Sequence, residues 1–300
     1  MPYVKTRDGV DLYLKDWDGG GRPVVLIHGW PLSADSWDSQ AMALARAGFR
    51  VIAYDRRGFG RSSQPWTGYE YDTLADDLAD VMAARDIGEE ASIVGFSMGG
   101  GEVARYMSRH DGKGVVAAAL VSSVVPYMLK TDDNPDGVPR EKLEEIGERL
   151  AADRPGFFAS FFRDFFGVGT LLHPVSDATL DWAWRLAMQA SLPATLACAK
   201  AFGFTDFRGD LPAFDVPTLV LHGTGDATVP IAASARAAAA GIRDAQLVEY
   251  DDAPHGLFAT HGDRLSRDLI TFLGNPEKGS VVRANESFIA RPDRESLEAE

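Results

Sequence analysis

Only one of the 300 residues, Cys198, is a cysteine, which excludes an internal disulfide framework and fits a reducing compartment. Basic side chains are also in deficit, with 30 Lys and Arg against 44 Asp and Glu, a formal net charge of -14. Nucleic acid and anionic membrane surfaces carry phosphate that this charge repels, so neither is an expected partner. No run reaches the roughly 20 apolar residues of a membrane span, and the stretch Met1–Lys5 has no apolar secretory core. The cytoplasm is therefore the expected location. There is no internal repeat, and the turn at Gly58-Phe59-Gly60 lacks the third glycine of a dinucleotide-binding loop. What is present is a chain that is 45 % hydrophobic and long enough to bury a substantial core.

Residues 91–96 read as a short buried strand and residues 98–109 as a helix with small residues on one side. Ser97 then falls at a strand-to-helix turn, inside Gly95-Phe96-Ser97-Met98-Gly99. Side chains at 95 and 99 would collide with neighbouring backbone, and the helix N-terminus offers free amides to a developing oxyanion. Such a turn presents a nucleophile, and a serine nucleophile needs a base and an orienting acid. His255 follows the strand-like run 245–250, and Asp226 follows the strand 218–221. The order Ser97, Asp226, His255 is that of a serine hydrolase on an open α/β sheet. The strand ending in Ser122-Ser123-Val124-Val125 offers no carboxylate in place of Asp226. Of the other histidines, His28 and His222 precede glycines at strand ends and read as packing or hydrogen-bonding groups beneath the site, whereas His110, His173 and His261 carry no catalytic pattern. The backbone N–H groups of Trp30, just after His28-Gly29 at the end of strand 23–27, and of Met98 are the candidate oxyanion donors; Pro31 has no N–H to give.

Taken in order, these segments resemble the α/β-hydrolases, and within them the cofactor-free haloperoxidase and aryl esterase group, the perhydrolases. The resemblance rests on His28-Gly29-Trp30-Pro31-Leu32-Ser33 with Trp37, Tyr54-Asp55-Arg56-Arg57-Gly58-Phe59-Gly60-Arg61-Ser62, residues 95–102, Gly223-Thr224-Gly225-Asp226 with Pro230-Ile231, and Asp252-Ala253-Pro254-His255-Gly256. It implies an α/β fold with a mostly parallel central sheet flanked by helices and carrying a helical cap insertion. The expected division is a discontinuous core of residues 1–125 and 217–273, a cap of residues 126–216, and an extension of residues 274–300 that is disordered or contacts a second copy in a homo-oligomer. It also implies a metal-free, cofactor-free enzyme that hydrolyses small aryl or alkyl esters and, given hydrogen peroxide and a short carboxylic acid, makes a peracid that oxidises halide. The Trp30-Pro31 pair is the position at which the family is thought to hold peroxide.

Phenylalanines 157, 158, 161, 162, 165 and 166 recur at helical spacing in the cap and form one apolar stripe. The expected substrate pocket is accordingly apolar, with Phe96, Val124, Thr228, Ile231 and Phe258 from the core and Phe158 and Phe162 from the cap. Two rival functions use the same architecture, a carbon-carbon bond hydrolase or enol-lactonase on the same triad, and a non-catalytic ligand receptor. Dehalogenase and epoxide hydrolase chemistry needs an aspartate nucleophile, and position 97 is serine.

Overall fold

The computed structural model describes residues 2–87 and 90–275; of the extension expected over 274–300, disordered or in contact with a second copy, residues 276–300 lie outside this range. Eight strands form one sheet: β1 (Tyr3–Lys5), β2 (Asp11–Trp17), β3 (Pro23–Ile27), β4 (Arg50–Tyr54), β5 (Ala91–Phe96), β6 (Val115–Val121), β7 (Thr218–Gly223) and β8 (Ala245–Tyr250). Their order is β1-β2-β4-β3-β5-β6-β7-β8, antiparallel at the β1 edge and parallel from β4 onward. The parallel strands are continuous apolar runs such as Val24–Ile27 and Ala117–Val121 because helices cover both faces of the sheet. β2 near the edge shows instead the alternating burial of a half-covered strand.

Chain order reverses at β3, which lies between β4 and β5, so a crevice opens there beyond the carboxyl ends of the strands. The register levels those ends: Ile27 pairs with Gly95, Phe96 with Val121, Val121 with Leu221, and Gly223 with Tyr250. The loops that follow therefore bring residues 28–30, 97, 122–124, 226 and 255 to one edge of the sheet.

The layers are made by α1 (Asp38–Arg46), α2 (Tyr71–Ala84), α3 (Met98–Arg109), α7 (Ala237–Gly241), α8 (Leu257–Thr260) and α9 (Gly262–Gly274), while α4 (Arg140–Phe165), α5 (Asp177–Gln189) and α6 (Leu192–Phe204) intervene between β6 and β7. Two helical stretches, 34–46 and 257–274, are each divided. Ser33 caps a 3-10 turn at Ala34–Trp37 before α1 begins. His261 leaves the helical conformation between α8 and α9, where the Gln40 side-chain amide donates to the carbonyls of Phe258 and Gly262. α4 is broken at Asp153 (φ -153°, ψ 83°), because Pro155 cannot continue the ladder and the Asp153 carboxylate instead caps the Gly156 N–H. The aromatic half of α4 is thereby a separate rod. No helix among the described residues is long and apolar enough to cross a membrane.

Candidate active site

Ser97 closes β5 at φ +53° and ψ -117°, a backbone conformation that costs roughly 1 to 3 kcal/mol and persists only where the surroundings impose it. Those surroundings are visible at the two flanking glycines. A Cβ at Gly95 would lie 2.4 Å from the Gly99 carbonyl oxygen, and one at Gly99 would lie 2.5 Å from that of Ile27. The Ser97 N–H donates to Val121 O at 2.8 Å, and the Ser97 carbonyl accepts from Gly100 at 3.0 Å, so the turn is held from both sides.

Ser97 Oγ lies 2.9 Å from His255 Nε2, and His255 Nδ1 lies 2.6 Å from Asp226 Oδ2. Asp226 is an acceptor at both oxygens, since the amides of Thr228 and Val229 donate to Oδ1 at 2.9 and 2.8 Å. Burial alone would raise the carboxyl pKa. The nearby His255 and His222 rings outweigh it and hold Asp226 well below the ordinary carboxylate value. Because Oδ2 can only accept, Nδ1 of His255 carries the proton and Nε2 faces Ser97 as a base. The imidazole is wedged between Phe165 and Phe96, with ring centroids 4.8 and 5.1 Å away, and the carbonyl of Phe165 accepts the Gly256 N–H at 2.9 Å.

The second side of the site is the turn after β3. Leu32 N–H closes it onto Gly29 O at 3.0 Å. Among the described residues the amides of Trp30 and Met98 have no backbone acceptor, as expected of a turn apex and of the first residue of a helix. Beneath the turn His28 is fully buried: its Nε2 accepts from the Arg56 amide at 2.9 Å, so its Nδ1 is protonated and donates to Gly29 O at 2.9 Å. Burial, reinforced by the Arg56 charge, holds this imidazole well below its ordinary pKa and keeps it neutral. The Arg56 guanidinium donates to His28 O at 2.6 Å and pairs with Glu102 of α3, which also accepts from Tyr54 Oη at 2.7 Å. Burial works against the Arg56 charge, but Glu102 outweighs it and raises the pKa above the ordinary value. One buried ion pair thus ties the turn carrying Trp30 to the helix that begins at Met98.

A cavity of about 380 Å³ opens over Ser97 and His255. Of the residues expected in the pocket, Val124 and Thr228 line this cavity, and Phe96, Phe158, Phe162, Ile231 and Phe258 do not. Phe96 is turned beneath the imidazole, against Trp37 and Phe258. Phe158 and Phe162 point from α4 into the core, and the lining positions are instead Phe157 and Phe161 on the adjacent helix face, together with Ser160 and Asp164. Ile231 packs on the core while its neighbour Pro230 lines the cavity. Phe258 borders a separate open groove between α1 and α8–α9 that contains none of Ser97, Asp226 or His255. Lining residues that the sequence reading did not pick include Met128, Leu143 and Phe202, and the charged Lys142 and Arg149 of the first half of α4. Trp30 itself sits in an aromatic nest of Phe158, Phe161 and Phe202, with centroids 5.7, 5.4 and 5.4 Å away, and its indole N–H donates to Thr195 O. No cluster of metal-ligating side chains occurs among the described residues.

A sheet of this order, with a strained serine at the switch-point edge backed by histidine and aspartate, defines the class. The chain belongs to the α/β hydrolase fold family, whose pattern matches residues 22–262. Within that class it is 44 % identical over 275 residues to a non-heme chloroperoxidase of Kitasatospora aureofaciens, covering 91 % of this chain and 99 % of the relative. It is 40 % identical over 276 residues to a bifunctional esterase/perhydrolase of Acinetobacter calcoaceticus, with the same coverage. Its fold superposes on the crystal structure of a bromoperoxidase from Bacillus anthracis with a TM-score of 0.87, at 42 % identity, covering 91 % of this chain and 99 % of that one.

Proposed function

We propose that this protein is a serine esterase that turns over small aryl or alkyl carboxylic esters through an acyl-enzyme, with perhydrolase and metal-free haloperoxidase activity on the same site. The observation that carries this reading is the unbroken contact chain Ser97 Oγ, His255 Nε2, His255 Nδ1, Asp226 Oδ2 at the floor of a cavity. Its similarity to a chloroperoxidase and to an esterase/perhydrolase over nearly the whole chain supports the choice of reaction.

In this mechanism His255 takes the proton of Ser97 as Oγ attacks the acyl carbon, and the amides of Trp30 and Met98 hold the oxyanion. The imidazolium, stabilised by Asp226, then protonates the departing alkoxide, leaving the acyl group on Ser97. Water activated by His255 returns the acid. Hydrogen peroxide in place of water cleaves the same acyl-serine bond, giving a peracid and free Ser97. A short carboxylic acid enters the same cycle by acylating Ser97 with loss of water. The peracid oxidises bromide to hypobromous acid and is itself reduced to the carboxylic acid, so no metal or redox cofactor is required.

We read α4–α6, within residues 126–216, as a cap over a core formed by residues 1–125 and 217–273. A cytoplasmic location agrees with the single thiol, Cys198, which is buried in α6 with its pKa pushed up by burial to about 12. The test is bromination of an organic acceptor with peroxide, run in acetate and in a buffer free of carboxylic acids, beside aryl acetate hydrolysis. Bromination is expected only with acetate present, and Ser97→Ala is expected to abolish both activities. Bromination that persists without any carboxylic acid, or hydrolysis that survives Ser97→Ala, overturns the reading.

A further inference from the structure

His222, the penultimate residue of β7, is completely buried. Its Nε2 lies 3.0 Å from Val229 O and 3.1 Å from Asp226 Oδ2. Both neighbours are acceptors, the second because its carboxylate is ionised, so Nε2 bears the ring proton. Nδ1 has no hydrogen-bond partner among the described residues, so a second proton there would be buried without an acceptor. Burying an unpaired ring nitrogen is unfavourable, and an apolar residue would fill the same space without that penalty. The function of this histidine therefore lies at Nε2.

We infer that His222 is a positioning residue for the catalytic acid: its Nε2 proton is shared between Val229 O and Asp226 Oδ2, fixing the 226–229 turn and the oxygen that orients His255. The inference rests on the proposed role of Asp226 and extends it. Oδ2 is the oxygen that His255 Nδ1 contacts at 2.6 Å, so two imidazole nitrogens meet at one carboxylate oxygen. The charged groups around His222 are few. Asp226 faces it from its own loop, His255 lies beyond that carboxylate, and Glu249 is its register partner on β8, where Arg236 holds Glu249 at 2.7 and 2.8 Å. Glu249 is already neutralised by that arginine, which leaves Asp226 as the charge that the Nε2 proton addresses.

The electrostatic consequence has a definite sign. A donor on Oδ2 draws negative charge away from His255 and weakens the stabilisation of the imidazolium form. Without the donor, protonated His255 is stabilised, the fraction of free base falls at a given pH, and the acid limb of kcat/KM moves upward.

The experiment compares the pH profiles of aryl acetate hydrolysis for the wild type, His222→Met, which removes the donor at similar volume, and His222→Gln, which returns an N–H at nearly the same reach. The Met variant is expected to shift the acid limb up by about half a pH unit and lower kcat about three- to tenfold, with KM little changed. The Gln variant is expected to bring the limb back. A Met variant whose limb stays at the wild-type pH, with activity lost only in step with thermal stability, overturns the inference, as does a Gln variant no better than Met. Should the Met variant fail to fold, the wild-type chain with 15N-labelled histidine decides the matter. A neutral ring protonated on Nε2 is expected at His222, and the opposite tautomer or a doubly protonated ring overturns the proposal. Failure of the triad reading is separately recognised by activity that survives Ser97→Ala.

Discussion

Replacing Glu102 by Gln tests whether the buried ion pair joins the two halves of the site. Glu102 is fully buried, and it both pairs with the Arg56 guanidinium and accepts from Tyr54 Oη. The amide keeps the shape and leaves Tyr54 an acceptor, but it strands the Arg56 charge in the interior. Removing one partner of a buried pair costs about 3 to 5 kcal/mol, against total stabilities of about 5 to 15 kcal/mol for a domain. Urea unfolding followed by fluorescence reads the loss directly. The double replacement Arg56→Met with Glu102→Leu removes both charges, and most of the loss is expected to return. The remainder, about 1 to 3 kcal/mol, reflects Tyr54 Oη and His28 O left without partners.

Catalysis is expected to part company with stability in the double variant. The Arg56 guanidinium donates to His28 O one residue before Gly29, and that turn aims the Trp30 amide. Loss of a whole oxyanion donor is worth about 2.7 to 4 kcal/mol, so a donor left in place but loosely aimed should lower kcat by about ten- to a hundredfold, with KM little changed. A Glu102→Gln protein within about 1 kcal/mol of wild type refutes the energetic argument. A double variant with wild-type kcat refutes the positional one.

At Gly29 an added Cβ would lie 2.6 Å from Phe96 Cδ1 and 2.9 Å from Ser97 Cβ, so Gly29→Ala must displace the nucleophile itself. Aryl acetate turnover should fall by about a hundredfold while the protein stays folded, as judged by circular dichroism. Phe161→Ala removes a cavity wall and should change relative kcat/KM among acyl chain lengths at a stability cost on the order of 1 kcal/mol, whereas Phe158→Ala, buried in the core, should cost about 3 to 5 kcal/mol and leave the chain-length order unchanged. In the proposed acid-dependent route the short carboxylic acid reaches the cavity as its anion in neutral solution and takes up a proton before Ser97 is acylated, and Lys142 stands in the lining of the cavity. Lys142→Glu should therefore raise the KM for acetate in peracid formation by about two- to fivefold at low salt and leave the KM for neutral aryl acetates unchanged. Equal effects on both substrates would remove Lys142 from the argument.

The features legible in the sequence are those whose cause is local. Gly95, Ser97 and Gly99 sit within five residues, and the 2.4 Å approach that forbids a side chain at Gly95 arises inside the strand-turn-helix unit itself, whereas the 2.5 Å approach at Gly99 comes from Ile27 O on the neighbouring β3. Asp226 and His255 could be read for a related reason, since each follows an apolar strand and the parallel register brings all strand ends to one edge. His222 was legible only as a packing or hydrogen-bonding group beneath the site. Which of its nitrogens faces Asp226 depends on the path of the 226–229 turn, and no periodicity records that. The division of α8 from α9 leaves no local signal for a similar reason, because the side chain that donates to Phe258 O and Gly262 O at the break, Gln40, lies more than 200 residues upstream.

The cap helix shows the limit most clearly, and it also shows where a signal was present. Six phenylalanines between 157 and 166 make the apolar stripe of this helix too broad for hydrophobicity alone to say which part of it meets substrate. The polar residues among them can. Positions 157, 160, 161 and 164 share one face by helical spacing, and Ser160 and Asp164 would be costly to bury against the core. That face must therefore border solvent or a cavity, and it is the one that lines the space above Ser97. Positions 158, 162, 165 and 166 hold only phenylalanine, and they seal the helix onto the core and onto the ring of His255. The most uniformly apolar face is thus the supporting one, and selectivity should be governed by the face on which aromatic and polar residues alternate. Substitutions in the first set should change which ester is preferred, and those in the second whether the cap stays in place.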